Sequence, residues 1–178
     1  MKILLTTSFY PPHHIGGDAI HVKYLAEALV KKGHEVHVLH SMDAYNLKKK
    51  EKKASKKSKV LVHTLKSPIG RLEPIFNYCF GTQPYTMNSF KKLVKEENFD
   101  VVHHHNISLL GYNILKKIGN YVNLYTAHDY WLICHKYDML KCNNLCKEKE
   151  CFSCCLKHKK IYQFFRNFPK FEECIRDI

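Results

Sequence analysis

MKILLTTSFYPPHHIGGDAIHVKYLAEALVKKGHEVHVLH, residues 1–40, is the stretch that decides the fold. Met1–Thr7 carries Ile3, Leu4 and Leu5 without alternation and reads as a buried strand. Phe9–Gly17 is a loop rich in Pro11, Pro12, Gly16 and Gly17. Asp18–Lys32 follows with Ile20, Val22, Leu25, Leu29 and Val30 on or near one helical stripe, and Gly33 stops it. Glu35–His40 is a second strand through Val36, Val38 and Leu39. A β-loop-α-β unit of this kind implies a parallel sheet with covering helices. The Gly16–Gly17 pair stands where strand hands over to helix. There, free backbone N–H groups and the helix dipole favour an anion such as a phosphate, although a plain βα turn uses the same residues. The dinucleotide fingerprint G-x-G-x-x-G is absent, which argues against nicotinamide or flavin binding.

The rest of the chain repeats the alternation. A third strand is expected at Val60–Leu65, a short helix at Leu72–Phe80 and a helix at Asn88–Asn98. A fourth strand follows at Phe99–His103, a helix at Ile107–Ile118 and a fifth strand at Tyr121–Ala127. Five strands alternating with helices predict a doubly wound, Rossmann-like α/β domain. Ligands in such a sheet bind at the carboxyl ends of the strands. Three polar clusters fall at that edge: Gly16-Gly17-Asp18, His103-x-His105-Asn106 and His128-Asp129. Strand alternation sends His103 and His105 to one side and His104 to the other.

The 178 residues suffice for one domain with a real core. The start of the chain lacks a long apolar run and no stretch of about 18 apolar residues occurs, so neither a signal peptide nor a membrane span is expected. A cytoplasmic protein is the expectation, peripheral at the inner face of the membrane. The net charge of +13 is uneven, because Lys48–Lys59 (KKKEKKASKKSK) carries eight lysines and one glutamate. Such a run is usually a solvated loop. It also suits contact with anionic lipid headgroups or a phosphate-bearing substrate. Without interleaved aromatics or arginines it offers no base stacking or bidentate readout, so nucleic acid is not an expected partner.

FYPPHHIGGDAIHVKYLAEALVKKGHEVHVL, FDVVHHHN and YTAHDYWLIC together resemble the N-terminal domain of family 4 glycosyltransferases, enzymes of the GT-B fold. The likeness covers most of residues 1–158 and points to a subgroup with an HDYW motif and a cysteine-bearing insertion. It implies transfer of a sugar from a nucleotide-sugar donor to a glycan or lipid-linked acceptor, with retention at the anomeric carbon. Carried over by position, Gly16 and Gly17 approach the donor diphosphate. His128 bonds the transferred sugar and is expected with Asp129 at the catalytic centre, while His103, His105 and Asn106 line the cleft. Asp18 replaces a small residue and is expected either to cap the helix or to touch acceptor hydroxyls. The family's Glu-x7-Glu motif belongs to a second, donor-binding domain. Glu27 and Glu35 match its spacing in the wrong context, so that domain is expected elsewhere, in cis or in trans, and the isolated chain is expected to turn over little.

Cys134, Cys142, Cys146, Cys151, Cys154 and Cys155 crowd 22 residues beside His135 and His158. Cys151 and Cys154 form a chelating pair that Cys134 and Cys146 would complete as a four-thiolate zinc site, with Cys142 and Cys155 as alternatives. The domain plan is a Rossmann-like unit over residues 1–128, a cysteine-rich insertion over 129–158 and a helical tail over 159–178. The competing class is a metal-stapled, basic interaction module at a membrane surface that keeps the fold without the chemistry.

Overall fold

The computed structural model describes residues 1–48, 59–134, 136–141, 144–146 and 151–158. Five parallel strands form one sheet: β1 (Lys2–Thr6), β2 (Glu35–Ser41), β3 (Leu61–Leu65), β4 (Val101–His104) and β5 (Val122–Tyr125). Their spatial order is β3-β2-β1-β4-β5. Strand order therefore reverses between β1 and β4, and the crevice outside their carboxyl ends is where such a sheet opens for a ligand. The helices are α1 (Gly17–Lys31), α2 (Met42–Lys48), α3 (Leu72–Phe80), α4 (Pro84–Glu97) and α5 (Cys151–Lys157). A two-strand antiparallel ribbon, β6 (Leu140–Lys141) with β7 (Asn144–Leu145), stands apart from the sheet.

The central strands β1 and β2 are buried on both faces, whereas the edge strands β3 and β5 leave Leu61, Val62, Val122 and Leu124 exposed. Ile3 and Leu5 of β1 join Val36 and Val38 of β2 against Val22 and Ala26 of α1. Leu4 and Leu39 point the other way, into a core with Phe90 and Val94 of α4, Val102 and Trp131. The expected doubly wound α/β fold is present.

The local differences have physical causes. The helix expected from Asn88 begins at Pro84, with the proline in its first turn, where the missing N–H costs nothing. Glu73 of α3 supplies the cap from a distance: its Oε1 accepts from Tyr85 N at 2.9 Å and Thr86 N at 3.1 Å. A helix was not expected at α2, yet Ser41 Oγ accepts from Ala44 N at 3.1 Å and caps its start. The helix expected over Ile107–Ile118 is replaced by a turn and one 3-10 segment at Tyr112–Leu115. Gly111 takes φ +91°, outside the helical region, and breaks the run. Ile107, Leu109, Leu110, Tyr112, Ile114 and Leu115 are all buried, so the segment has no polar face for a surface helix to present. The basic stretch 49–58, the tail beyond 158 and Cys142 lie outside the described residues.

Candidate functional site

The loop after β1 enters α1 through Gly16, the N-cap residue, at φ +87° and ψ 171°. No side chain caps the helix, so the expected N-cap role of Asp18 is not taken up. The N–H groups of the first turn are left free of a side-chain acceptor, the arrangement that receives an anion. Around Gly17 an added Cβ would meet nothing within 4 Å, so the approach to the helix start is open.

Asp18 is held instead by the fourth-strand loop. Asn106 Nδ2 donates to Asp18 Oδ2 at 2.6 Å. The same amide's Oδ1 accepts from Ser108 Oγ at 2.7 Å and from Ser108 N at 3.1 Å. Ser8 N donates to the Asn106 carbonyl at 2.6 Å. Ser8, Asn106 and Asp18 thus tie together the ends of β1 and β4 and the start of α1, across the point where strand order reverses.

The histidines divide as strand alternation predicts. His104 is fully buried, with Nδ1 2.7 Å from Thr6 Oγ1 and its ring 5.9 Å from that of Phe90. His103 and His105 lie on the other side with ring centroids 4.2 Å apart. His103 Nε2 is 2.8 Å from Thr126 Oγ1. His105 is buried, and its Nδ1 lies 3.1 Å from Nε2 of the partly exposed His128. The three clusters expected at this edge are therefore brought together in space, Asp18 by Asn106 and His128 by His105.

Its electrostatics favour neutral rings. Burial, with the neighbouring imidazoles adding, holds His103 and His105 below the usual histidine range. His128 is also lowered, chiefly by burial, while the Asp18 and Asp129 carboxylates pull it back upward. A neutral imidazole offers one donor and one acceptor, which suits a sugar hydroxyl. Asp129 has a structural engagement: its Oδ1 accepts from Trp131 N at 2.8 Å, fixing the turn that buries Trp131.

The sequence profile described as Glycosyltransferase Family 4 matches residues 15–166. The chain belongs to glycosyltransferase family 4. An uncharacterized 42.6 kDa protein in the cps region of Klebsiella pneumoniae is 27% identical over 148 residues, covering 75% of this chain and 38% of that protein. An uncharacterized glycosyltransferase of Methanocaldococcus jannaschii is 59% identical over 39 residues, covering 22% of this chain and 10% of its own length. The chain thus spans well under half of each of these relatives.

Within this family 4 domain the structure adds a residue that the sequence reading missed. His21 of α1 sits opposite the pair, its ring 5.2 Å from that of His128 and 5.7 Å from that of His105. The signal was available: Asp18 and His21 are separated by three residues on a helix and share a face. The cysteines behave differently. Cys134, Cys146, Cys151 and Cys154 are half-buried, and among the described residues no three of them come within ligand reach of a common metal.

Proposed function

We propose that this chain is the acceptor-side half of a two-domain transferase. It would move a sugar, with retention, from a nucleotide-sugar donor to a glycan or lipid-linked acceptor. The observation that carries this reading is the convergence of an uncapped helix start at Gly16–Gly17 with His103, His105 and His128 at the strand-order reversal. In the transfer, the bond from the anomeric carbon to the diphosphate oxygen breaks and its electrons leave with the diphosphate. The acceptor hydroxyl oxygen bonds to that carbon on the face the diphosphate leaves, and its proton passes to the departing diphosphate oxygen. Negative charge growing on the diphosphate is favoured by the N-terminus of α1, a contribution of about 0.3–2 kcal/mol. His128 holds a hydroxyl of the transferred sugar, and Asp18, fixed by Asn106, accepts from an acceptor hydroxyl. A donor-binding domain, in cis or in trans, completes the cleft and supplies the remaining positioning.

The family's cellular setting supports further proposals. The relative in a cps region points to envelope polysaccharide synthesis. Among the described residues no helix is long and apolar enough to cross a membrane. We place the protein in the cytoplasm, against the inner face of the membrane through the lysine run Lys48–Lys59, with no nucleic-acid partner. Ile69, Leu72, Ile75, Phe76 and Phe80, exposed in and just before α3, give that contact an apolar component.

Gly17→Ala provides the test. Gly17 has ordinary backbone angles and open space about its Cα, so the substitution leaves the fold undisturbed. In the chain joined to its donor domain, Gly17→Ala should weaken nucleotide-sugar binding at least tenfold with an unchanged melting temperature. Unchanged affinity would remove the diphosphate from the start of α1.

A further inference from the structure

Two clusters of metal-capable side chains occur among the described residues. Glu35, His37 and Glu97 form one, but the Lys2 ammonium already lies 3.2 Å from Glu35 and 2.5 Å from Glu97. That place is taken by a cation of the chain itself. The other cluster has no such occupant. One nitrogen each of His21, His105 and His128 lies within 4.8 Å of the other two.

The spacing fits a shared ion. Imidazole nitrogens bind zinc at about 2.0–2.1 Å, so two of them on a tetrahedral centre stand about 3.3–3.4 Å apart. His105 Nδ1 and His128 Nε2 are already 3.1 Å apart. His21 is exposed on α1 and free to turn its ring toward them. Asp18 and Asp129 act electrostatically on His128, and their charge offsets that of a dication. His105 is fixed by burial, which sets the position of one ligand in advance.

We propose that His21, His105 and His128 form a binding site for a transition-metal dication of the zinc class, with three imidazole ligands and a fourth position open to water or a ligand oxygen. Imidazole donors select zinc, copper, nickel and cobalt over magnesium and calcium, which take oxygen ligands. Binding displaces the hydrogen now shared between His105 and His128. Each ring stays neutral by carrying its proton on the nitrogen that faces away from the metal. The site stands on these distances and does not depend on the transfer reaction. If His128 also holds the donor sugar, the ion occupies the ring that the sugar needs, and zinc inhibits transfer.

The experiment is a cobalt titration of the untagged, chelator-treated chain, followed by visible absorption. The proposal expects one Co2+ per chain, ligand-field bands of a four-coordinate centre, displacement by Zn2+ and no response to Mg2+. His21→Ala should weaken binding by more than about 100-fold, beyond what loss of an outer hydrogen-bond partner costs. His34→Ala, at the far end of α1, should leave it unchanged. Sulfur-to-metal charge-transfer bands that survive His21→Ala would assign the metal to the cysteines and overturn the proposal. An absence of stoichiometric binding would overturn it as well. Neither result touches the test of Gly17, so the two readings fail separately.

Discussion

Lowering the pH from 7 to 5 should destabilise this domain by several kcal/mol, well before its carboxylates titrate. His104 and His40 are the reason. Each is at most 3% exposed, and burial lowers the first to about 3 and the second to about 4, with His13 adding to the effect at His40. Both would stand near 6.5 in the unfolded chain. Between these values the unfolded state binds the proton and the folded state does not, so stability falls as pH falls. Each such group costs about 1.4 kcal/mol per pH unit below 6.5. At pH 5 that is about 2 kcal/mol for each ring and about 4 kcal/mol for the pair, a large share of the roughly 5–15 kcal/mol typical of a folded protein. His105, also lowered by burial, pushes in the same direction. Glu35 and Glu97 are lowered by their contacts with His37 and Lys2, so their stabilisation is lost only below about pH 4.5, in a separate window.

The assay is urea unfolding followed by the fluorescence of Trp131, the single tryptophan, which is buried in the core formed on α4. With a slope of about 2 kcal/mol per molar urea, the midpoint should drop by about 2 M between pH 7 and pH 5. His104→Asn and His40→Asn should each flatten the dependence on pH by about 1.4 kcal/mol per unit, whatever they do to stability at pH 7. A midpoint that moves by less than about 0.5 M, or a slope that neither variant changes, would refute the claim that these rings are held neutral inside the fold.

Three further outcomes are expected. Gly111→Ala should cost about 1–3 kcal/mol in thermal unfolding, because Gly111 sits at φ +91° and a Cβ there would lie 3.1 Å from Gln83 N and 2.7 Å from Asn113 Oδ1. The three-histidine site predicts about one zinc per chain by elemental analysis, lost in His21→Ala and retained when Cys151 and Cys154 are both replaced by serine. Vesicles containing phosphatidylserine should sediment the protein while phosphatidylcholine vesicles do not. Binding should weaken with salt and with Phe76→Asp, and equal binding to both lipids would remove the lysine run from the contact.

The parts of the fold that showed in the sequence are those set by neighbours along the chain. Burial writes Ile3, Leu4 and Leu5 into β1, Val36, Val38 and Leu39 into β2 and Val101 and Val102 into β4, and the α3 boundaries at Leu72 and Phe80 agree with those expected. What did not show is set from a distance. The start of α4 depends on Glu73, twelve residues before Tyr85, and nothing near Pro84 announces that its first N–H groups have an acceptor. Ile107–Ile118 looks helical because its apolar residues are dense, but density without a polar face signals burial rather than helix.

The same division holds within the site. Gly16, His103, His105 and His128 were legible because topology alone brings the ends of consecutive parallel strands to one edge. Which of its two expected roles Asp18 could take was not, because its partner Asn106 is 88 residues away and takes the carboxylate that a local reading would give to a helix cap. His21 was hidden for a different reason. Helical spacing puts it beside Asp18, but only the folded sheet brings the start of α1 near enough to the residues that follow β4 and β5 for its ring to stand 5.2 Å from that of His128. A residue on a helix face is assigned to solvent until the sheet edge beneath it is known. For that reason the inference about the metal comes from the structure, and the inference about the sugar begins in the sequence.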